Sequence, residues 1–117
     1  MTPEVLEERL IDFSVLVLDL SDNLANTKAG NHFAAQIIRS GSSPALNYGE
    51  AQSAESKKDF VHKMKVCLKE LRETYVALRI IKKANLHRGY HTIESLITEN
   101  NELLSIFVAS IKTSEGH

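Results

Sequence analysis

Between positions 57 and 91 the sequence carries ten basic residues against Asp59, Glu70 and Glu73, a net charge of +7. Lysine and arginine at this density neutralise phosphates and release counterions, the electrostatic footprint of RNA or DNA contact. Lys57, Lys58, Lys65, Lys69, Arg72, Arg79, Lys82, Lys83 and Arg88 are the candidate contacts. A second reading is compensation within the fold. Residues 1–26 sum to −5 and residues 92–117 to −3. A basic third helix packed beside acidic first and fourth helices would cancel that charge internally. The whole chain balances at −1, which supplies little long-range attraction toward a polyanion.

A second group is polar and periodic. Gln36, Arg39, Ser43, Asn47 and Glu50 recur at intervals of 3, 4, 4 and 3, one row along a helix. Arg39 and Glu50 stand about three turns apart, too far to pair with each other. Each needs a partner on a facing helix, at Asn47 or on another subunit. Left open to solvent, the row would be a binding groove. Covered, it would be a hydrogen-bonded network that sets register, because buried charges require partners. The covered network is the expectation. Ser40, Gly41, Ser42 and Ala45 beside it are small and admit a close backbone.

Other reactive side chains lack company. His87 and His91 have H-x-x-x-H spacing, but Gly89 between them reads as a turn, and His62 and Cys67 as further candidate ligands make a weak zinc set. Cys67 falls on an apolar stripe and reads as buried and inert. Ser42 and Ser43 sit in no G-x-S-x-G elbow. Glu7 and Glu8 are adjacent and face different directions. No phosphate-binding loop, dinucleotide fingerprint or cysteine-pair motif is present. The sequence calls for no catalytic residue, no metal and no cofactor.

These residues must be positioned by helices. With 117 residues, 43% hydrophobic and 25% charged, the chain is an ordinary globular sequence of one domain, residues 1–117. Two prolines and five glycines favour long helices over a turn-rich β fold. No apolar run approaches a membrane span. The start, Met1-Thr2-Pro3-Glu4, lacks the basic region of a secretory signal, and a single cysteine suits a reducing cytoplasm.

Four helical segments emerge. The first runs from about Glu4 to Ala25, with Thr2 as cap and Leu6, Leu10, Phe13, Val17, Leu20 and Leu24 spaced 4-3-4-3-4. Val5, Ile11, Val15, Leu16 and Leu18 widen that stripe toward further neighbours. The second, about Asn31 to Ala54, is expected to kink at Pro44 and continue, the alternative being two short helices that meet at Ser43. The third spans about Lys57 to Ala84, capped by Ser56, with Phe60, Met64, Cys67, Leu71, Tyr75, Leu78 and Ile81 or Lys82 at helical spacing. The fourth spans about Thr92 to Lys112, with Thr92 as cap and a frayed end beyond. Short links between such segments predict an all-α, antiparallel up-down-up-down four-helix bundle with a kinked second helix.

At the second helix the sequence resembles a known family. Ala35-Gln36-Ile37-Ile38-Arg39-Ser40, Asn47-Tyr48-Gly49-Glu50, and Asp59-Phe60 with Lys69-Glu70-Leu71-Arg72-Glu73-Thr74 are similar to small bacterial four-helix-bundle proteins. The first described of these are encoded within intervening sequences of large-subunit ribosomal RNA genes and were labelled ribosomal-protein-like. The resemblance covers roughly residues 9–112. It implies a homo-oligomer, typically a pentamer of bundles, with no established activity. Gln36, Arg39, Ser40, Asn47 and Glu50 match the family's polar residues, whose implied task is structural. A related branch serves retroelements as an accessory protein, binding reverse transcriptase and nucleic acid through a strongly basic surface. The balance of −1 departs from that branch, and Glu50-Ala51 replaces the Glu-Gly of many relatives.

The expectation is therefore a non-enzymatic, oligomeric, RNA-associated scaffold in the cytoplasm, with no membrane role. The alternative is a protein–protein interaction module that binds no nucleic acid. In that case charge reversal at Lys65, Lys69 and Arg72 should break a protein pairing without unfolding the bundle.

Overall fold

The computed structural model describes residues 1–87 and 89–116, and of Tyr90 and His91 only the backbone. Arg88, the ninth candidate contact, and His117 lie outside the described residues, as does the side chain of His91. The chain forms α1 (Pro3–Asp22), α2 (Lys28–Ala51), α3 (Lys57–Lys83) and α4 (Tyr90–Ser114).

Each start has a local cause. The Thr2 hydroxyl accepts from Val5 N at 3.2 Å, and Pro3 needs no donor in the first turn. Ser56 does the same for Asp59 N at 3.0 Å. α2 begins earlier than expected, because Thr27 caps it through Gly30 N at 3.1 Å and draws Lys28–Gly30 into the helix. Only glycine fits at position 30, where a Cβ would stand 1.8 Å from the Ala25 carbonyl oxygen. α4 also begins earlier, after Gly89, which gives no side-chain cap. Thr92 is exposed inside the helix, not at its cap. At the far end α4 continues to Ser114, where a frayed end was expected. α3 closes with Asn85 in the left-handed region, φ 56°, and Leu86 N reaching back to Ile81 O at 3.1 Å.

α2 runs on through Pro44, as its resumed periodicity predicts. Gly41 lets α1 approach α2. A Cβ there would meet Val17 Cγ1 at 2.6 Å, and Ser14 Oγ donates to Gly41 O at 3.3 Å.

The four helices pack in sequence order as antiparallel neighbours, and α4 closes on α1. α1 and α3 are diagonal, with no close backbone approach between them. The bundle measures 44 × 21 × 21 Å. Leu6, Leu10, Phe13, Val17 and Leu20 are buried, and Leu24 packs against them from the margin. Tyr48 meets Phe107 edge-on at 5.7 Å. Replacing Phe13 or Phe107 with alanine would remove about 3–5 kcal/mol of stability each.

The other five apolar residues of α1 stay outside. Val5, Ile11, Val15, Leu16 and Leu18 are exposed, and Ile38 and Leu46 on α2 join them. At the opposite end of the bundle from the α2–α3 turn, the two remaining links meet. Leu24 and His87 form an isolated antiparallel bridge, and Ala25 N donates to Leu86 O at 2.9 Å. Among the described residues no helix is long and apolar enough to cross a membrane.

Candidate nucleic-acid interface

α3 is a 27-residue helix whose two sides have opposite character. Its core side carries Met64, Cys67, Leu71, Leu78 and Ile81. Its outer side carries Lys58, Lys65, Lys69, Arg72, Arg79 and Lys83, at intervals of 7, 4, 3, 7 and 4. That spacing makes one straight ridge. It runs about 38 Å at 1.5 Å per residue. All six are exposed, and so are Lys57 and Lys82 on the margin facing α4. The structure thus brings together eight of the nine candidate contacts, the ninth being Arg88.

The acids of α3 are turned elsewhere. Glu70 and Glu73 face α2, where Arg39 Nη1 lies 3.0 Å from Glu70 Oε2 and Arg39 Nη2 lies 2.6 Å from Glu73 Oε2. Hydrogen bonds from Arg39, and then Gln36, hold the Glu73 carboxyl below its ordinary value. The same pairing raises the Arg39 guanidinium, with Glu73 the larger cause. α4 repeats the pattern on its far side. Arg9 Nε and Nη2 grip the Glu99 carboxylate at 2.7 and 2.6 Å, and Nη2 reaches Glu102 at 2.8 Å. The bond from Arg9 lowers Glu99. Glu94 and Glu115 pair with Lys82 and with Lys65, the latter at 2.9 Å, at the two ends of the face. Between those ends the outer face of α3 and α4 holds no carboxylate.

Compensation therefore works differently from the second reading above. α3 lies beside α4 and α2, but not beside α1, the most acidic segment. Glu4, Glu8, Asp12, Asp19 and Asp22 are all exposed on α1, across the bundle from the basic ridge.

The polar row of α2 ties α2 to α3. Arg39 binds Glu70 and Glu73, and Glu50 Oε1 takes Lys63 Nζ at 3.1 Å. Asn47 Nδ2 donates to Ser43 Oγ at 2.9 Å and to Ser43 O at 3.0 Å. Ser40 is wholly buried, while Arg39 and Glu50 keep their outer edges in solvent. It is an inter-helix seam. Cys67 is buried, its Sγ donating to Pro44 O at 3.5 Å, and burial pushes the thiol up to about 12. Among the described residues no three His, Cys, Asp or Glu side chains gather where a metal ion could sit.

A second row beside the ridge went unread in the sequence. Thr98, Asn101, Ser105 and Lys112 on α4 are exposed. Their 3-4-7 spacing is the signal that could have found them. A shallow groove, lined by Arg72, Asn101, Leu104, Ser105, Val108 and Lys112, separates this row from the ridge.

A model of the 23S rRNA-intervening sequence protein family matches residues 6–109, from the first core leucine of α1 to the last turns of α4. The chain belongs to that family. The match to the intervening-sequence proteins takes in the α2–α3 seam and the whole described ridge. The fold agrees. A crystal structure at 1.70 Å of a protein of unknown function from the S23 ribosomal protein family of Bacteroides thetaiotaomicron superposes with a TM-score of 0.86. The two are 28% identical, over 96% of this chain and 99% of that one. No match emerges among curated proteins.

Proposed function

We propose that this member of the 23S rRNA-intervening sequence protein family is a non-enzymatic, self-associating bundle that binds RNA through the outer face of α3. One observation carries the reading. Lys58, Lys65, Lys69, Arg72, Arg79 and Lys83 form an exposed ridge from which every acid of α3 and α4 is turned away or confined to the ends. Such a ridge concentrates positive potential locally, whatever the net charge of the chain. The exposed apolar residues are mostly on α1 and α2. Self-association through that side leaves the ridge open, and the family resemblance suggests five copies.

Fluorescence anisotropy of a labelled structured RNA, titrated at several salt concentrations, tests the RNA half. Binding is expected to weaken steeply with salt, and neutralising one ridge cation should lower the log–log slope by about 1. The triple reversal K69E/R72E/K83E should abolish binding with an unchanged thermal melt, since among the described residues none of the three lies in an ion pair. Absence of binding at low salt, or binding indifferent to the reversal, overturns the reading. Retention of a protein partner in place of RNA, lost on the same reversal, establishes the interaction-module alternative.

A further inference from the structure

We infer that the face formed by α3 and α4 is selective for double-helical RNA over single strands and over duplex DNA, a conclusion that rests on the RNA-binding reading above. Three features of the face set the class of ligand.

The first is width. α3 is packed on both sides, by α2 and α4, in a bundle 21 Å across. A B-DNA major groove about 12 Å wide admits one helix, not a two-helix face. A broad, shallow surface instead matches the wide minor groove of an A-form duplex, with cations reaching the phosphates along its rims.

The second is the lack of an exposed phenylalanine or tyrosine platform among the described side chains. Proteins that hold single strands place exposed aromatic rings beside the cations. Among the described side chains no phenylalanine or tyrosine is exposed. Beside the ridge Tyr75 is half-buried and covered by the Arg79 guanidinium at 5.4 Å, and the one exposed ring among the described side chains of α3 is the small imidazole of His62. The straight ridge of Lys58 to Lys83 suits a stiff duplex better than a flexible chain.

The third is the second row. Asn101 presents an amide at the edge of the groove beside Arg72, and Ser105, whose hydroxyl donates to Asn101 O at 3.2 Å, presents an acceptor oxygen. Asn101 offers both donors and an acceptor to solvent. The 2′-hydroxyl is itself donor and acceptor, and it is what distinguishes RNA from DNA in a minor groove.

The experiment uses the full chain and four labelled probes of equal length: an RNA duplex, a DNA duplex of the same sequence, and each RNA strand alone. The RNA duplex is expected to bind about three- to tenfold more tightly than the DNA duplex, the scale of one or two net hydrogen bonds. Both duplexes should exceed the single strands. N101A/S105A should erase the preference for RNA over DNA while leaving DNA-duplex affinity and the salt slope unchanged. Equal affinity for the two wild-type duplexes, tightest binding to a single strand, or a preference that survives N101A/S105A overturns the inference and leaves ridge-mediated binding standing. Failure to bind all four probes at low salt removes the underlying reading, and the inference with it.

Discussion

Arg39 on α2 and Glu73 on α3 meet at 2.6 Å, and the same guanidinium holds Glu70 at 3.0 Å. One cation thus draws two carboxylates of α3 toward the α2 seam and away from the outer ridge. Glu70 is 8% exposed. Removing Arg39, whose side chain is half in solvent, leaves this covered carboxylate without its cation. R39L should therefore lower the urea midpoint at neutral pH. R39L/E70Q/E73Q should recover part of that loss, because no charge is left stranded. An R39L midpoint equal to that of the parent chain would show that the seam is dispensable.

Acid should weaken the bundle through a defined pair of groups. Glu73 and Glu99 titrate below their ordinary 4.5, held down by Arg39 and Arg9. The unfolded chain binds these protons more readily than the folded one. Their contribution is complete above the unfolded value and is lost as pH falls through the lowered folded values. Urea midpoints should thus decline below about pH 5. E99Q should make that decline shallower, and an unaltered profile would contradict the assignment.

Gly41 sets the approach of α1 to α2. G41A would place its methyl group 2.6 Å from Val17 Cγ1. Overpacking of this kind costs about 1–3 kcal/mol. V17A should relieve much of the clash in the double variant, which equilibrium urea unfolding would reveal as strong non-additivity. Additive losses would place the contact elsewhere.

Self-association should depend on the side of the bundle remote from the ridge. Leu18 and Ile38 are exposed, at 43% and 41%. L18E/I38E should dissociate the assembly in sedimentation velocity and leave the helical melt of the protomer intact. An unchanged sedimentation coefficient would move the interface to another face.

Cys67 should be silent toward thiol reagents. It has no solvent exposure, and its thiol stands at about 12. Thiolate, the reactive form, is scarce at neutral pH. Labelling by a disulfide reagent should be slow in the native state and accelerate across the urea transition. Rapid native labelling would mean that α3 opens locally.

Much of the architecture could be read one helix at a time. The 4-3 spacing of Leu6, Leu10, Phe13, Val17 and Leu20 identified the buried side of α1, because side-chain direction along a helix is local geometry. The caps Thr2 and Ser56 and the exit at Asn85 were legible for the same reason. Thr27 was not, since Lys28-Ala29-Gly30 has the composition of a link and only Ala25, packed against Gly30, makes glycine necessary there. The polar row was legible as a row, but its partners Glu70, Glu73 and Lys63 and the half-open state of Arg39 and Glu50 were not.

By itself the sequence determined four amphipathic helices, their order, and a third helix rich in cations. Those properties follow from periodicity and composition within single segments. Tertiary structure decided that α3 stands diagonal to acidic α1, that Arg39 and Arg9 turn carboxylates away from the ridge, and that Asn101 and Ser105 line up beside it. Those outcomes depend on which helices become neighbours and how each is rotated about its axis. Side chains far apart in the chain set both, through a packing that no single segment encodes.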